Sequence, residues 1–325
     1  IMATRSEKGM SRLLTKLETR VSSGEYYEAH QLYRTLYFRY LSQKKYDEIL
    51  HLLSKGAGLL LEHDQQGSGA DLAILLIDVL TKSSTKPTEE WITRLAFLFE
   101  LMKENIPEKD TFLMNSIKWS MDNSHKGHPL LHKKIAEAYW KQKKYTLAHK
   151  HFLHSCGGET YANMLIELHI TLGLKSEIDL IIAQAVLQLL ALHNMQMALE
   201  TFNNYTMTHP AINCKKLPYP EPLLNFLWFL LQAIEQKKVE QFKILNRLYA
   251  VSINRDPNYI TYLETIGRVW FGIMPKSRNT HGMHKSMFKG LLNSILKEDE
   301  GSDEEETFIQ ASSFHNTQSK TPDLD

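Results

Sequence analysis

The chain is poor in the features that mark an enzyme, a secreted scaffold or a membrane protein. Its 325 residues hold two cysteines, Cys156 and Cys214, far apart and in no paired motif. That argues against a disulfide framework and a cysteine-based zinc site. No apolar run approaches the roughly 18 residues a membrane helix needs. The longest candidate, PLLNFLWFLLQAI (222–234), is interrupted by Asn225 and Gln232. The opening IMATRSEKGM has no apolar signal core, so a cytosolic protein is expected. Valine is sparse while Leu, Ala, Glu, Lys and Gln dominate, a mixture that favours helices over strands.

Catalytic signatures are missing too. No GxxxxGK[ST], GxGxxG, HExxH or GxSxG occurs. The nearest phosphate-loop candidate, GSGADL (67–72), has no preceding strand and no lysine. His149, His151 and His154 crowd one turn and a half, and His128 and His132 are four apart, a spacing at which two imidazoles can share a metal. No cysteine or carboxylate completes a ligand pattern, so these histidines read as packing or solvent-facing groups. The sequence predicts no catalysis, no metal and no cofactor.

What is present is a repeated helical pattern. The stretch GEYYEAHQLYRTLYFRY (24–40) places Tyr26, Ala29 and Tyr33 three and four apart, on one helical face. The same row returns at Tyr145, Ala148 and Phe152, and at Met195, Ala198 and Phe202. Basic turns recur as well, with QKKY at 43–46 and 142–145 and QKKV at 236–239. Pro87, Pro107, Pro129, Pro222 and Pro257 fall where helices start, the place a helix tolerates proline. The pattern predicts an all-α solenoid of about 13 or 14 antiparallel helices over residues 1–274, tetratricopeptide-like in its pairs. Large side chains of the recurring row, with Leu32, Leu36 and Phe38, are expected to fill its core. The segment HPAINCKKLPYP (209–220) has three prolines and no helical period. Here a non-helical excursion over 208–221 is expected, with a β-hairpin as one form. A weak amphipathic helix is expected at Met287–Leu296, within 275–297.

Net charge is +1, but it is uneven. Residues 298–325 carry nine acidic side chains and one lysine, a balance of −8 that leaves +9 on residues 1–297. An acidic, disordered tail on a basic body follows. Ser302, in GSDEEE, has the downstream acids that acidophilic kinases prefer, which makes it a candidate phosphorylation site. A basic, tyrosine-rich body leaves an RNA-binding helical-repeat protein as the alternative class. That reading needs free aromatic and basic residues on one face, whereas the recurring aromatics occupy the packing row.

Several ordered motifs together resemble one family. GEYYEAHQLYRTLYFRY, KGAGLLL, GSGADL, GHPLLH (127–132), HFLHS (151–155), EPLLNFLWFLLQAI (221–234) and RDPNYITYLETIG (255–267) look like the Golgi-to-ER traffic protein four family over roughly residues 10–297. The resemblance implies a non-catalytic cytosolic adaptor. Such adaptors hand newly made tail-anchored membrane proteins to a targeting ATPase for delivery to the endoplasmic reticulum. It implies an ATPase-docking N-terminal half, 8–154, with Tyr26, Tyr27, Arg39 and Asp71 on that surface. Tyr26 and Asp71 match family positions there, but Leu41 and Ser42 follow Arg39–Tyr40 where the family carries a basic residue. It implies a C-terminal half, 155–274, holding a ubiquitin-like partner in fungi or a BAG-type chaperone scaffold in animals. Tyr219, Trp228 and Phe229 are the candidate anchors for that second partner.

Overall fold

A computed structural model of the chain describes residues 2–121 and 126–273, and side chains from Gly9 onward. Among these residues it contains fifteen α-helices and no strand. They are α1 (Met2–Ser22), α2 (Tyr26–Ser42), α3 (Tyr46–Glu62), α4 (Gln66–Lys82), α5 (Glu89–Leu101), α6 (Glu108–Ser120), α7 (Pro129–Lys141), α8 (Tyr145–Phe152), α9 (Gly158–Leu172), α10 (Ile178–Ala191), α11 (Met195–Thr208), α12 (Pro222–Glu235), α13 (Val239–Leu248), α14 (Ala250–Ile253) and α15 (Asn258–Phe271). The count exceeds the expectation because the chain breaks at Tyr249, which separates the short α14 from α13. The described helices fall into two compact units, α1–α7 and α8–α15, divided between Gln142 and Lys143. Met287–Leu296, the acidic tail and Ser302, for which the sequence raises expectations, lie outside the described residues.

Short turns make neighbouring helices antiparallel. In the first unit the turn residue falls at Gly24, Lys44, Asp64 and Ser84, twenty positions apart, and each has positive φ. Each closes its helix with a pair of backbone bonds. At Lys44 these are Lys45 N–H to Tyr40 O and Lys44 N–H to Leu41 O. At Asp64 they are Gln65 N–H to Leu60 O and Asp64 N–H to Leu61 O. This is the Schellman closure, in which a left-handed residue satisfies carbonyls left over at the helix end. The recurring QKK turns are the same device, since Lys143 and Lys237 also adopt φ +62 and +53. Thus the lysine pairs mark turn geometry. Lys141 and Lys143 pair with Glu100 and Glu167 respectively.

Within each unit a helix packs on its chain neighbour and on the next helix but one, as α3 does on α4 and α5, and α10 on α11 and α12. The recurring row supplies the interior: Ala29, Tyr33, Tyr145, Ala148, Phe152, Ala198 and Phe202 are all buried. Tight approaches need glycine. A Cβ on Gly56 of α3 would lie 2.6 Å from the Tyr33 ring of α2. In the second unit a buried polar chain joins four helices. Tyr161 Oη donates to His149 Nδ1 at 2.6 Å, and His149 Nε2 donates to Gln188 Oε1 at 2.7 Å. Gln188 Nε2 then donates to Tyr262 Oη at 2.8 Å. Burial pushes His149 down to about 4, so the imidazole is neutral and each ring nitrogen has a partner.

Two expectations are corrected. Phe38, expected in the core, is 57% exposed, because its position on α2 lies next to Arg39 on the solvent side. The excursion forms no hairpin. Pro210, Pro218 and Pro220 have no N–H to give a ladder, and the segment is tied to helix ends instead.

Candidate functional site

Two surfaces collect the sequence-predicted residues, one in each unit. In the first unit α2 carries large rings on both its inner and outer sides. Ala29, Tyr33, Leu36, Tyr37 and Tyr40 are buried, which fixes the orientation of the helix. Tyr27, Gln31, Arg34 and Phe38, spaced by three and four, then share one outer stripe. Tyr27 is 73% exposed. Arg34 stands between the two rings, and its Nη1 donates to both Asp71 oxygens of α4 at 3.1 Å. His30 Nε2 donates to Asp71 Oδ2 at 2.8 Å from the adjoining flank. Asp71 is the sixth residue of α4, so its bonds run across to α2 and not to its own helix N-terminus. One turn further, Tyr37 Oη donates to Asp78, which also accepts from Lys82. Burial and the Asp78 carboxylate together raise the Tyr37 phenol above its ordinary value.

The structure therefore ties Asp71 to Arg34, which shares the outer stripe of α2 with Tyr27 and Phe38. Tyr26 lies to one side, half-buried, with its ring 4.9 Å from that of His63. Arg39 is exposed but twelve residues from Tyr27, about a third of a turn around the helix. It is not on the stripe. Arg34, His30 and Phe38 were missed by sequence reasoning. The spacing 27, 31, 34, 38 is visible in the sequence, but a second aromatic row on the opposite side hides which one faces water.

In the second unit the candidate anchors differ in exposure. Tyr219 is only 8% exposed; its ring stands edge-on to Phe202 at 6.3 Å. Asn225 on α12 accepts from Tyr219 N–H at 2.8 Å and donates to Tyr219 O at 2.7 Å. Tyr219 thus fastens the excursion to α12. Trp228 is half-buried, and Phe229 is exposed and edge-on to it at 5.1 Å. At the other end of the excursion, Ala211 N–H donates to His209 Nδ1 at 3.0 Å. His209 Nε2 must then carry its proton, which it gives to His169 Nδ1 at 2.9 Å. His169 Nε2 donates to Leu174 O at 2.9 Å. Burial, with smaller contributions from His169 and Lys215, lowers His209 to about 4. Lys215 Nζ donates to the carbonyls of Thr206 and His209.

Neither surface assembles a nucleophile with a base. Among the described residues no group of three His, Cys, Asp or Glu side chains could hold a metal. No helix among them is long and apolar enough to cross a membrane. Antiparallel helix pairs with exposed aromatic stripes define an all-helical scaffold. The sequence model of the Golgi to ER traffic protein 4 family matches residues 43–292. A Golgi to ER traffic protein 4 homolog of Xenopus tropicalis is 45% identical over 305 residues, 94% of this chain and 93% of that protein. The homolog of Homo sapiens is 44% identical over 303 residues, 93% and 90% of the two chains. The crystal structure of C. therm. Get4 superposes with a TM-score of 0.76 at 25% identity, covering 90% of this chain and 100% of that one. The chain belongs to the Golgi to ER traffic protein 4 family and takes part in the GET pathway.

Proposed function

We propose that the protein is a non-catalytic cytosolic adaptor. It bridges a tail-anchored-protein targeting ATPase to a ubiquitin-like or BAG-type chaperone partner, during post-translational delivery of tail-anchored proteins to the endoplasmic reticulum. The observation that carries this reading is the outer stripe of α2. Tyr27 and Phe38 offer apolar rings to solvent, with Arg34 held between them by Asp71. Exposed rings cost solubility and are not needed for the core, while aromatic and arginine side chains dominate the energetics of protein interfaces. Trp228 and Phe229 on α12 are the anchors for the second partner, and the pinned excursion is their border. Holding both partners on one chain raises the effective concentration of each for the other. The +9 body speeds encounter with an acidic ATPase surface and makes that binding salt-sensitive.

Affinity capture from cytosol at low and high salt tests the reading. The full chain is expected to recover the ATPase together with one of the other partners, the ATPase being lost at high salt. Phe38→Asp should lose the ATPase alone, and Phe229→Asp the second partner alone. Capture of RNA and ribonucleoproteins without either partner overturns the reading, and a salt-independent ATPase affinity removes its electrostatic part.

A further inference from the structure

We propose that residues 287–296 of this chain dock on an exposed apolar stripe of α13 and α14, as an intramolecular cap on the second unit. Among the ten residues of α13 only Phe242 is buried. On the side away from it, Ile244, Leu248 and Val251 are spaced by four and three and are 43%, 72% and 87% exposed. The turn at Tyr249 keeps a helical path, with Tyr249 N–H bonded to Leu245 O and Ile253 N–H to Tyr249 O. The three side chains therefore share one face. End elements of a helical stack are ordinarily polar on their outer side, and this one is not.

The occupant is indicated by where the chain goes next. Phe271, the last residue of α15, packs its ring 4.9 Å from Phe242, so the chain leaves α15 beside α13. Residues 274–286 then separate the last described residue from the segment, thirteen residues that reach up to about 40 Å. A helix is only about 10 Å across, so the linker is long enough to pass around α13. At 100° per residue, Met287, Phe288, Leu291, Leu292, Ile295 and Leu296 fall on one half of a helix. Lys289, Gly290, Asn293, Ser294 and Lys297 fall on the other. A segment of ten residues is not a stable helix alone in water; its apolar half requires a surface. The family model extends to residue 292, nineteen positions past Ile273. This sets residues 287–292 of the segment apart from the acidic run that starts at Glu298.

The test uses the full chain with Cys156→Ser and Cys214→Ser, carrying Leu248→Cys and Leu292→Cys. Mild oxidation at low protein concentration is expected to consume both thiols and leave a monomer. A cross-linked dimer would show that a second copy covers the stripe, and two titratable thiols would show that the segment is elsewhere; either overturns the proposal. A second arm reads hydrogen exchange in the full chain bearing Leu291→Asp and Ile295→Asp. Exchange across 243–253 should accelerate severalfold while α10 keeps its wild-type rate. Unchanged exchange over 243–253 also overturns the proposal.

Discussion

Arg34 Nη1 on α2 lies 3.1 Å from both carboxylate oxygens of Asp71 on α4, with the two side chains 40% and 34% exposed. At that exposure the pair contributes little to folding, about 0–1 kcal/mol. Its effect is to fix the position of a guanidinium on the same outer stripe as Tyr27 and Phe38. Asp71→Asn is therefore expected to change the urea midpoint by less than the equivalent of about 1 kcal/mol, while ATPase affinity measured by calorimetry falls about tenfold. A fall in stability with affinity intact would reassign Asp71 to a purely structural role.

Two neighbouring apolar residues of α2 should respond in opposite ways. Leu36 is fully buried, and truncation to alanine is expected to cost about 2–5 kcal/mol through lost burial and a residual cavity. Phe38→Ala should lie within about 0.5 kcal/mol of wild type, as surface changes do, yet weaken ATPase capture. Chemical denaturation of both variants checks the contrast. Equal destabilisation would place Phe38 in the core.

The left-handed turns offer a gain. Lys44 and Lys237 pay the strain of a side chain at positive φ, about 1 kcal/mol each. Lys44→Gly and Lys237→Gly should each stabilise the fold by about 0.5–1 kcal/mol. Gly24→Ala, at φ +75, should destabilise it by a similar amount. A null result in urea melts for all three would show that turn strain is relieved elsewhere in the chain.

Stability should also depend on pH through His149. Its folded value of about 4 lies below the ordinary 6.5, so the unfolded chain binds the proton more readily. The contribution is complete above about pH 6.5 and is lost as pH falls toward 4, amounting to roughly 3 kcal/mol. Melting temperature measured from pH 7 to 4.5 should drop more steeply for wild type than for His149→Gln. Identical slopes would mean that another group dominates the acid response.

The sequence by itself determined the helical class, the turn positions and the interior row. A 3.6-residue period, proline at helix starts and a repeated small residue all act locally. Ala148 and Phe152 were legible as core for that reason, and so was the exclusion of Tyr33 from any free stacking face. Periodicity did not place Phe38, because large aromatic rings occur on both sides of α2. That was decided by packing on α3 and α4, which buried Tyr33 and Tyr37 and left Phe38 outside. The same holds for Arg34 and Asp71, thirty-seven residues apart, and for the His149–Gln188–Tyr262 chain, whose members come from three helices. Such pairs exist only once the helices are stacked. Their distances are set by side-chain volumes between layers, a quantity carried by no single stretch of sequence.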